Sequence, residues 1–262
     1  MYIQNKINNY RQNVLKILKC ISTIIVEVKT MKHVLVDFRI NSEETNSLEK
    51  LNYTIIKCPP CNRLYEAICG HPDMLVHKID CKNIIVHKEM PLHFINLLKK
   101  LNYNVIRSHS ILKPIYPYDI LLNAVNLHDY FIHKLYNTDI FLKKFVNNKT
   151  LINVKQGYTK CSTAIVNDTA IITSDPSINA ALSNTKIDIL FLPPGDILLP
   201  GLDYGFIGGT CGLLDDNHLA FYGNLRYYKY GKEVIKFLEK HNVEPIFLRK
   251  GKLVDRGSIF RI

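Results

Sequence analysis

The chain lacks any block of five or six like charges, although 34 Lys and Arg against 23 Asp and Glu leave a formal charge of +11. The basic residues are spread along its length, so a dedicated nucleic-acid tract is absent and nucleic acid is not an expected partner. The high Lys, Asn and Ile content resembles an AT-rich coding bias, which inflates the charge without a functional cause. No run reaches the ~18 apolar residues that a membrane span requires, and no membrane partner is expected. Gly201 to Gly212 contains glycines without GxGxxG spacing or a Lys-Ser/Thr end, which excludes a typical phosphate-cradling loop. Seven cysteines, odd in number and unevenly placed, do not form the even framework of a small secreted protein. A reducing cytoplasm is the simpler expectation, and no cofactor motif is found.

What the chain does have is an internal repeat. Lys50-Leu51-Asn52-Tyr53-Thr54-Ile55-Ile56-Lys57 returns as Lys100-Leu101-Asn102-Tyr103-Asn104-Val105-Ile106-Arg107. Asp73-Met74-Leu75-Val76-His77-Lys78 is answered by Asp129-Tyr130-Phe131-Ile132-His133-Lys134. A period of about 50 residues signals one structural module used several times. With 47% hydrophobic residues, 262 residues suffice for a full core.

The alternation of patterns predicts an α/β chain. A strand is expected over 34–38, a helix over 41–52 capped by Asn41 or Ser42, and a strand over 53–57. Hairpins are expected at 74–78 with 84–87, 130–134 with 140–143, 162–166 with 170–173, and 212–214 with 219–222. Helices are expected over 91–101, 176–183 and 231–241, with strands over 104–107, 187–192 and 245–248. A last strand falls near 258–261 and the first, 34–38, has no module of its own. Pairing the two would close a ring of five units and remove its exposed edges. Residues 31–262 are therefore expected to form one domain. Residues 1–30 place Val14, Ile17, Leu18, Ile21, Ile24 and Ile25 at helical spacing, interrupted by Lys19 and Glu27, and read as an N-terminal amphipathic helix or an upstream extension.

Gly70-His71-Pro72-Asp73 and Lys160-Cys161-Ser162-Thr163 resemble the Gly-His-x-Asp and Cys-x-Ser/Thr motifs of the pentein, or guanidine-modifying-enzyme, superfamily. The segments 65–74, 154–162 and 204–209 are more closely similar to an uncharacterised, largely clostridial family of that fold. The resemblance implies a five-fold pseudosymmetric α/β propeller of ββαβ-type modules, closed by its first and last strands. It also implies a cysteine-dependent hydrolase or deiminase acting on a small guanidinium or amidine cation. The alternative on the same ring is a non-catalytic binding protein.

The repeat register adds candidates of its own. The residues just before each inner hairpin strand should face the centre, and those positions hold 70–73, 126–129, 159–162, 210–212 and 255–257. On this reading Asp73 and Asp129 hold a guanidinium in a fork, Cys161 attacks the central carbon, and His71 serves as acid and base. Cys211 is a second candidate nucleophile, and Asn126, Lys160 and Asp37 are candidate substrate contacts, with Asp203 a further possible acid. Each also has a plainer reading: a buried Cys as a small hydrophobe, His71 as a turn residue, Asp129 as a loop hydrogen-bonder. The nucleophile of the superfamily usually lies in the last module and often follows His, whereas Cys161 lies in the third and follows Lys160. Cys58-Pro59-Pro60-Cys61 with Cys69 and His71 forms a competing tetrahedral zinc set, or a redox pair at Cys58 and Cys61. No metal site is assigned. The run Arg226-Tyr227-Tyr228-Lys229-Tyr230 offers base-stacking residue types but reads better as the solvated approach to a helix.

Overall fold

A computed structural model describes residues 32–262. The expected helix in 1–30 lies outside the described residues. His33–Ile262 forms one compact unit, built from 15 strands in five separate three-stranded sheets. No single sheet closes on itself.

The unit repeats one small pattern. In the first full copy, α2 (Pro72–Leu75) leads into β3 (Val76–Lys78), which pairs antiparallel with β4 (Asn83–Val86). Helix α3 (Leu92–Lys100) then crosses to β5 (Asn104–Arg107), which lies parallel to β4. The same order recurs in β6 (Val125–Asn126), β7 (Tyr130–His133), α4 (Ile140–Phe145) and β8 (Thr150–Asn153). It recurs again in β9 (Thr163–Asn167), β10 (Ala170–Thr173), α5 (Pro176–Leu182) and β11 (Asp188–Phe191). The last full copy is β12 (Cys211–Leu213), β13 (His218–Phe221), α6 (Gly231–Lys240) and β14 (Glu244–Phe247). The fifth sheet joins the two ends of the unit. β15 (Phe260–Arg261) pairs antiparallel with β1 (Lys32–Asp37), and β1 is followed by α1 (Ser42–Lys50) and β2 (Tyr53–Cys58). The expected meeting of first and last strands is present.

Local chemistry explains the repeated Lys-Leu-Asn-Tyr. Leu51 and Leu101 are the C-caps of α1 and α3, and Asn52 and Asn102 follow with φ of 63° and 67°. Asn242 does the same after α6, with φ of 55°. Asparagine tolerates this left-handed position, stops the helix and turns the chain into the next strand. At the other end of α1, Asn41 and Glu44 form a capping box. The middle strands are buried on both faces, as Ile84-Ile85-Val86 and Ala170-Ile171-Ile172 show, which fits their unbroken apolar sequence.

One module departs from the expectation. Residues 140–143 are not a strand but belong to α4, capped by Asp139, whose side chain accepts from Phe141 N. The hairpin is instead β6–β7, and β8 supplies the parallel strand. Phe141 and Leu142 stand four and three residues before Phe145, a helical spacing, and Leu142 is the buried member.

Candidate functional site

The loops and turns that lead into the inner strands bring together residues far apart in sequence. His71 is the N-cap of α2, with its N–H donating to Ile68 O at 3.1 Å, and Pro72 fixes the first helical position. Asp73 follows in the first turn, its N–H donating to Gly257 O at 3.1 Å. Cys161 lies in the turn before β9, and its carbonyl accepts from Gly209 N at 3.0 Å. A ring nitrogen of His71, a carboxylate oxygen of Asp73 and the sulfur of Cys161 all lie within 4.8 Å of one another. All three residues are buried.

Two residues that the motifs did not single out complete the arrangement. Asn123 Nδ2 lies 3.1 Å from Cys161 Sγ, while its Oδ1 accepts from Lys160 N at 2.8 Å and Cys161 N at 3.2 Å. Ser258 Oγ sits 2.7 Å from Asp73 Oδ2. Asp255, present in the repeat register but given no role from it, lies with Oδ1 3.8 Å from His71 Nδ1, too far for a hydrogen bond. Its own oxygens accept from Phe206 N at 2.8 Å and Gly257 N at 3.0 Å. A side chain at Gly209 would collide with the Asp255 carboxylate, so this glycine permits the approach. Arg256 donates to buried Glu44 at 3.0 Å and ties the loop that carries Asp255 to α1.

The site keeps buried polar atoms that no group of the protein satisfies. Both ring nitrogens of His71 and Oδ1 of Asp73 are buried without a hydrogen-bond partner. An unsatisfied buried polar atom costs about 1–3 kcal/mol, so three at one point call for a ligand or water. Burial, reinforced by Asp73 and Asp255, pushes the Cys161 thiol well above its usual range, with Asn123 opposing. Burial also raises the Asp255 carboxyl, with His71 opposing and Asp73 adding.

A cleft of about 230 Å³ opens onto His71, Cys161 and Asp255. Its walls include Tyr65, Tyr158, Tyr204 and Phe206. Tyr158 and Phe206 stack with ring centroids 6.2 Å apart, and Tyr204 meets Phe206 edge-on at 6.0 Å. Such π faces suit a cation as well as an apolar group.

The remaining candidates stand elsewhere. Cys211 is buried in β12 with its sulfur 3.5 Å from Ile207 O; burial pushes its thiol up to about 12, and it does not line the cleft. Asp129 occupies the β6–β7 turn with its side chain 76% exposed. Asn126 bonds Lys78 O and Ile79 O and receives Lys149 Nζ at 2.6 Å. Lys160 adjoins Cys161 along the chain, but its ammonium donates to Ser258 Oγ at 2.9 Å. Asp37 is held by Arg39, which also donates to the carbonyls of Glu66 and Ala67. Asp203 lines the cleft as an exposed residue. Cys58, Cys61 and Cys69 do not gather around His71: among the described residues the one group of three or more possible metal donors is His71, Asp73 and Cys161. Cys58 and Cys61 are both free thiols. Tyr228 is buried in the core, which breaks the stacking run 226–230.

The register error in the second module has a simple source. Matching the two Asp-x-x-x-His-Lys strings sets Tyr130–His133, a middle strand, against Val76–Lys78, an inner one, and so carries the inner position to Asp129.

Solved structures of low sequence identity share the architecture. An amidinotransferase of the saxitoxin biosynthetic pathway from Microseira wollei matches with a TM-score of 0.51 and 12% identity, over 83% of this chain and 88% of its own. An agmatine deiminase from C. jejuni with substrate bound matches with a TM-score of 0.51 and 12% identity, over 88% and 93%. A dimethylarginine dimethylaminohydrolase in adduct with S-methyl-L-thiocitrulline matches with a TM-score of 0.52 and 11% identity, over 89% and 100%. These likenesses show the fold, that of the pentein guanidine-modifying enzymes. No curated protein matches the chain in sequence. No helix among the described residues is long and apolar enough to cross a membrane. The model of the family of unknown function DUF6873 matches residues 35–260, and the chain belongs to that family.

Proposed function

We propose that this protein is a cysteine-dependent enzyme that modifies a small guanidinium or amidine cation, as a hydrolase or deiminase. The observation that carries the reading is the convergence of Cys161, His71 and Asp73 within 4.8 Å, with both His71 nitrogens and one Asp73 oxygen unpartnered. A non-catalytic scaffold would have no need to gather a thiol, an imidazole and a carboxylate under an open cleft. The five sheets are proposed to form a propeller over residues 31–262, centred on their inner strands. The described cysteines are free, which suits a reducing cytoplasm.

The chemistry follows from the atoms present. Asp73 Oδ1 accepts an N–H of the planar cation, and the aromatic walls receive its face or its substituent. The incoming positive charge offsets the burial and the two carboxylates that hold the thiol protonated, so the thiol passes its proton to His71 and the thiolate forms as substrate binds. Asn123 Nδ2 donates to that sulfur. Cys161 Sγ bonds to the central carbon, and the carbon–nitrogen bond to the leaving amine breaks as His71 delivers a proton to it. Asp255 stabilises the imidazolium. His71 then takes a proton from water, whose oxygen bonds to the carbon while the carbon–sulfur bond breaks. An amine in place of water would make the same site a transferase.

Reaction with 2-chloroacetamidine, followed by peptide mapping, tests the reading. Rapid labelling of Cys161 that guanidine protects against, and that His71→Ala abolishes, is the expected result. Slow labelling spread over the cysteines would overturn it. The same three atoms favour a second reading, capture of zinc, which would need at least a fourth ligand. Labelling of Cys161 that proceeds only after chelation, with zinc released in step, would select it.

A further inference from the structure

A larger cavity, about 360 Å³, contains none of His71, Cys161 and Asp255. Inner strands from all five sheets line it, with Lys78 from β3, Asn126 from β6, Ile165 from β9, Leu213 from β12 and Phe260 from β15. Two buried groups at this cavity lack the partner their chemistry demands.

The first is Lys160, 7% exposed, which lines this cavity and not the Cys161 cleft. Its ammonium donates to Ser258 Oγ at 2.9 Å and makes long contacts of 3.4 Å to Thr163 O and Gly208 O. No carboxylate among the described residues lies within salt-bridge distance of it; Asp73 is reached only through Ser258 Oγ, which donates to Asp73 Oδ2 at 2.7 Å, and a buried cation without a direct counter-charge is costly. The second is His77, 4% exposed. Its Nδ1 faces Leu122 O at 3.1 Å, and a carbonyl only accepts, so Nδ1 carries the proton. Nε2 is then a bare acceptor, and it is buried without a partner. Burial keeps this ring neutral.

The rim adds positive charge. Lys78 Nζ donates to Arg261 O at 2.8 Å, and Arg261 lines the cavity. The acids of the lining, Asp168 and Asp216, are both exposed. Asp216 is 86% exposed and pairs with Arg261 at 3.0 Å. The interior therefore offers a cation and a neutral acceptor, with the negative charge confined to the outside.

We propose that this cavity is a second ligand site, for a small oxyanion that carries its own hydroxyl: an anionic oxygen for Lys160 and an O–H for His77 Nε2. Hydrogen phosphate and a short hydroxycarboxylate share this chemistry. The site requires no reaction at Cys161.

Titration calorimetry of the full chain at pH 7.5 and low salt, with phosphate, glycolate and sulfate, tests it. Phosphate or glycolate should bind saturably at one site, and whichever binds names the source of the anion. Sulfate, which has no hydroxyl at this pH, should bind at least tenfold more weakly. Lys160→Met should weaken binding at least tenfold and Lys78→Met at least threefold, with Cys161→Ser unchanged. Lys78→Met is the safer variant, since this side chain reaches the rim, and it carries the test if Lys160→Met does not fold. Absence of saturable binding, equal affinity for sulfate, or affinities indifferent to the lysine variants would overturn the proposal.

Discussion

Asn123 touches Cys161 twice: its amide nitrogen lies 3.1 Å from the sulfur, and its amide oxygen accepts the Cys161 backbone N–H at 3.2 Å. One side chain thus fixes the turn and presents a donor to the thiol. Asn123→Ala should slow Cys161 alkylation by 2-chloroacetamidine about ten- to a hundredfold. It should also cost about 1–3 kcal/mol in urea denaturation, because the N–H groups of Lys160 and Cys161 lose their side-chain acceptor. Asn123→Asp restores the acceptor but buries a carboxylate oxygen against Asp73 O and Cys161 Sγ, so it should recover neither stability nor reactivity.

The raised Cys161 pKa has a sign that labelling can read. Burial and two carboxylates favour the neutral thiol, so the thiolate fraction near pH 7 is small. Alkylation by neutral iodoacetamide should be slow at pH 7 and rise about tenfold per pH unit until the thiol titrates. The cationic amidine should show a much flatter profile, since its own charge promotes ionisation. Parallel profiles for the two reagents would argue against activation by the substrate's charge.

Gly257 has a φ of 71°, and a side chain there would strike His71. Gly257→Ala should displace the imidazole and abolish guanidine-protectable labelling, with a stability loss of at least about 1 kcal/mol. Cys211→Ala should leave the labelling rate unchanged, because this thiol is 1% exposed and does not line the cleft. Mass mapping of the native protein should find Cys211 unmodified.

Acid should destabilise the fold through buried histidines. Burial lowers His77 to about 4 and His133 to about 3, against roughly 6.5 in the unfolded chain. The unfolded state therefore binds more protons below pH 6.5. The stability these neutral rings contribute is complete above that pH and is lost as pH falls toward 4 and 3. Each contributes a slope of up to about 1.4 kcal/mol per pH unit in that window. Urea denaturation between pH 7 and 4.5 should show the loss, and His133→Gln should flatten the slope even though it lowers stability at pH 7.

Much of the architecture was legible because local chemistry and global pattern agree. The Lys-Leu-Asn-Tyr string marks the ends of α1 and α3, and the apolar runs at 84–86 and 170–172 mark buried middle strands. In the second module the sequence pattern pairs Tyr130–His133 forward with 140–143, whereas its antiparallel partner is the two-residue β6 that precedes it. Two residues carry no periodicity to detect. In the site, His71, Asp73 and Cys161 stood out as motif residues, while Asn123 and Ser258 did not. Their roles depend on distances between loops 38 to 185 residues apart in sequence, and residue type alone does not reveal such distances.

The seam where β15 meets β1 has a kinetic consequence. Asp255 and Ser258 lie just ahead of β15, and Ser258 meets Asp73 across 185 residues of chain. Such contacts bear the full entropy of closing a long loop and form late in folding. The hairpins and their helices rest on near neighbours and should acquire protection from hydrogen exchange first. His71 would then be competent only after the ends have docked, so guanidine-sensitive labelling of Cys161 would serve as a clock for the final folding step.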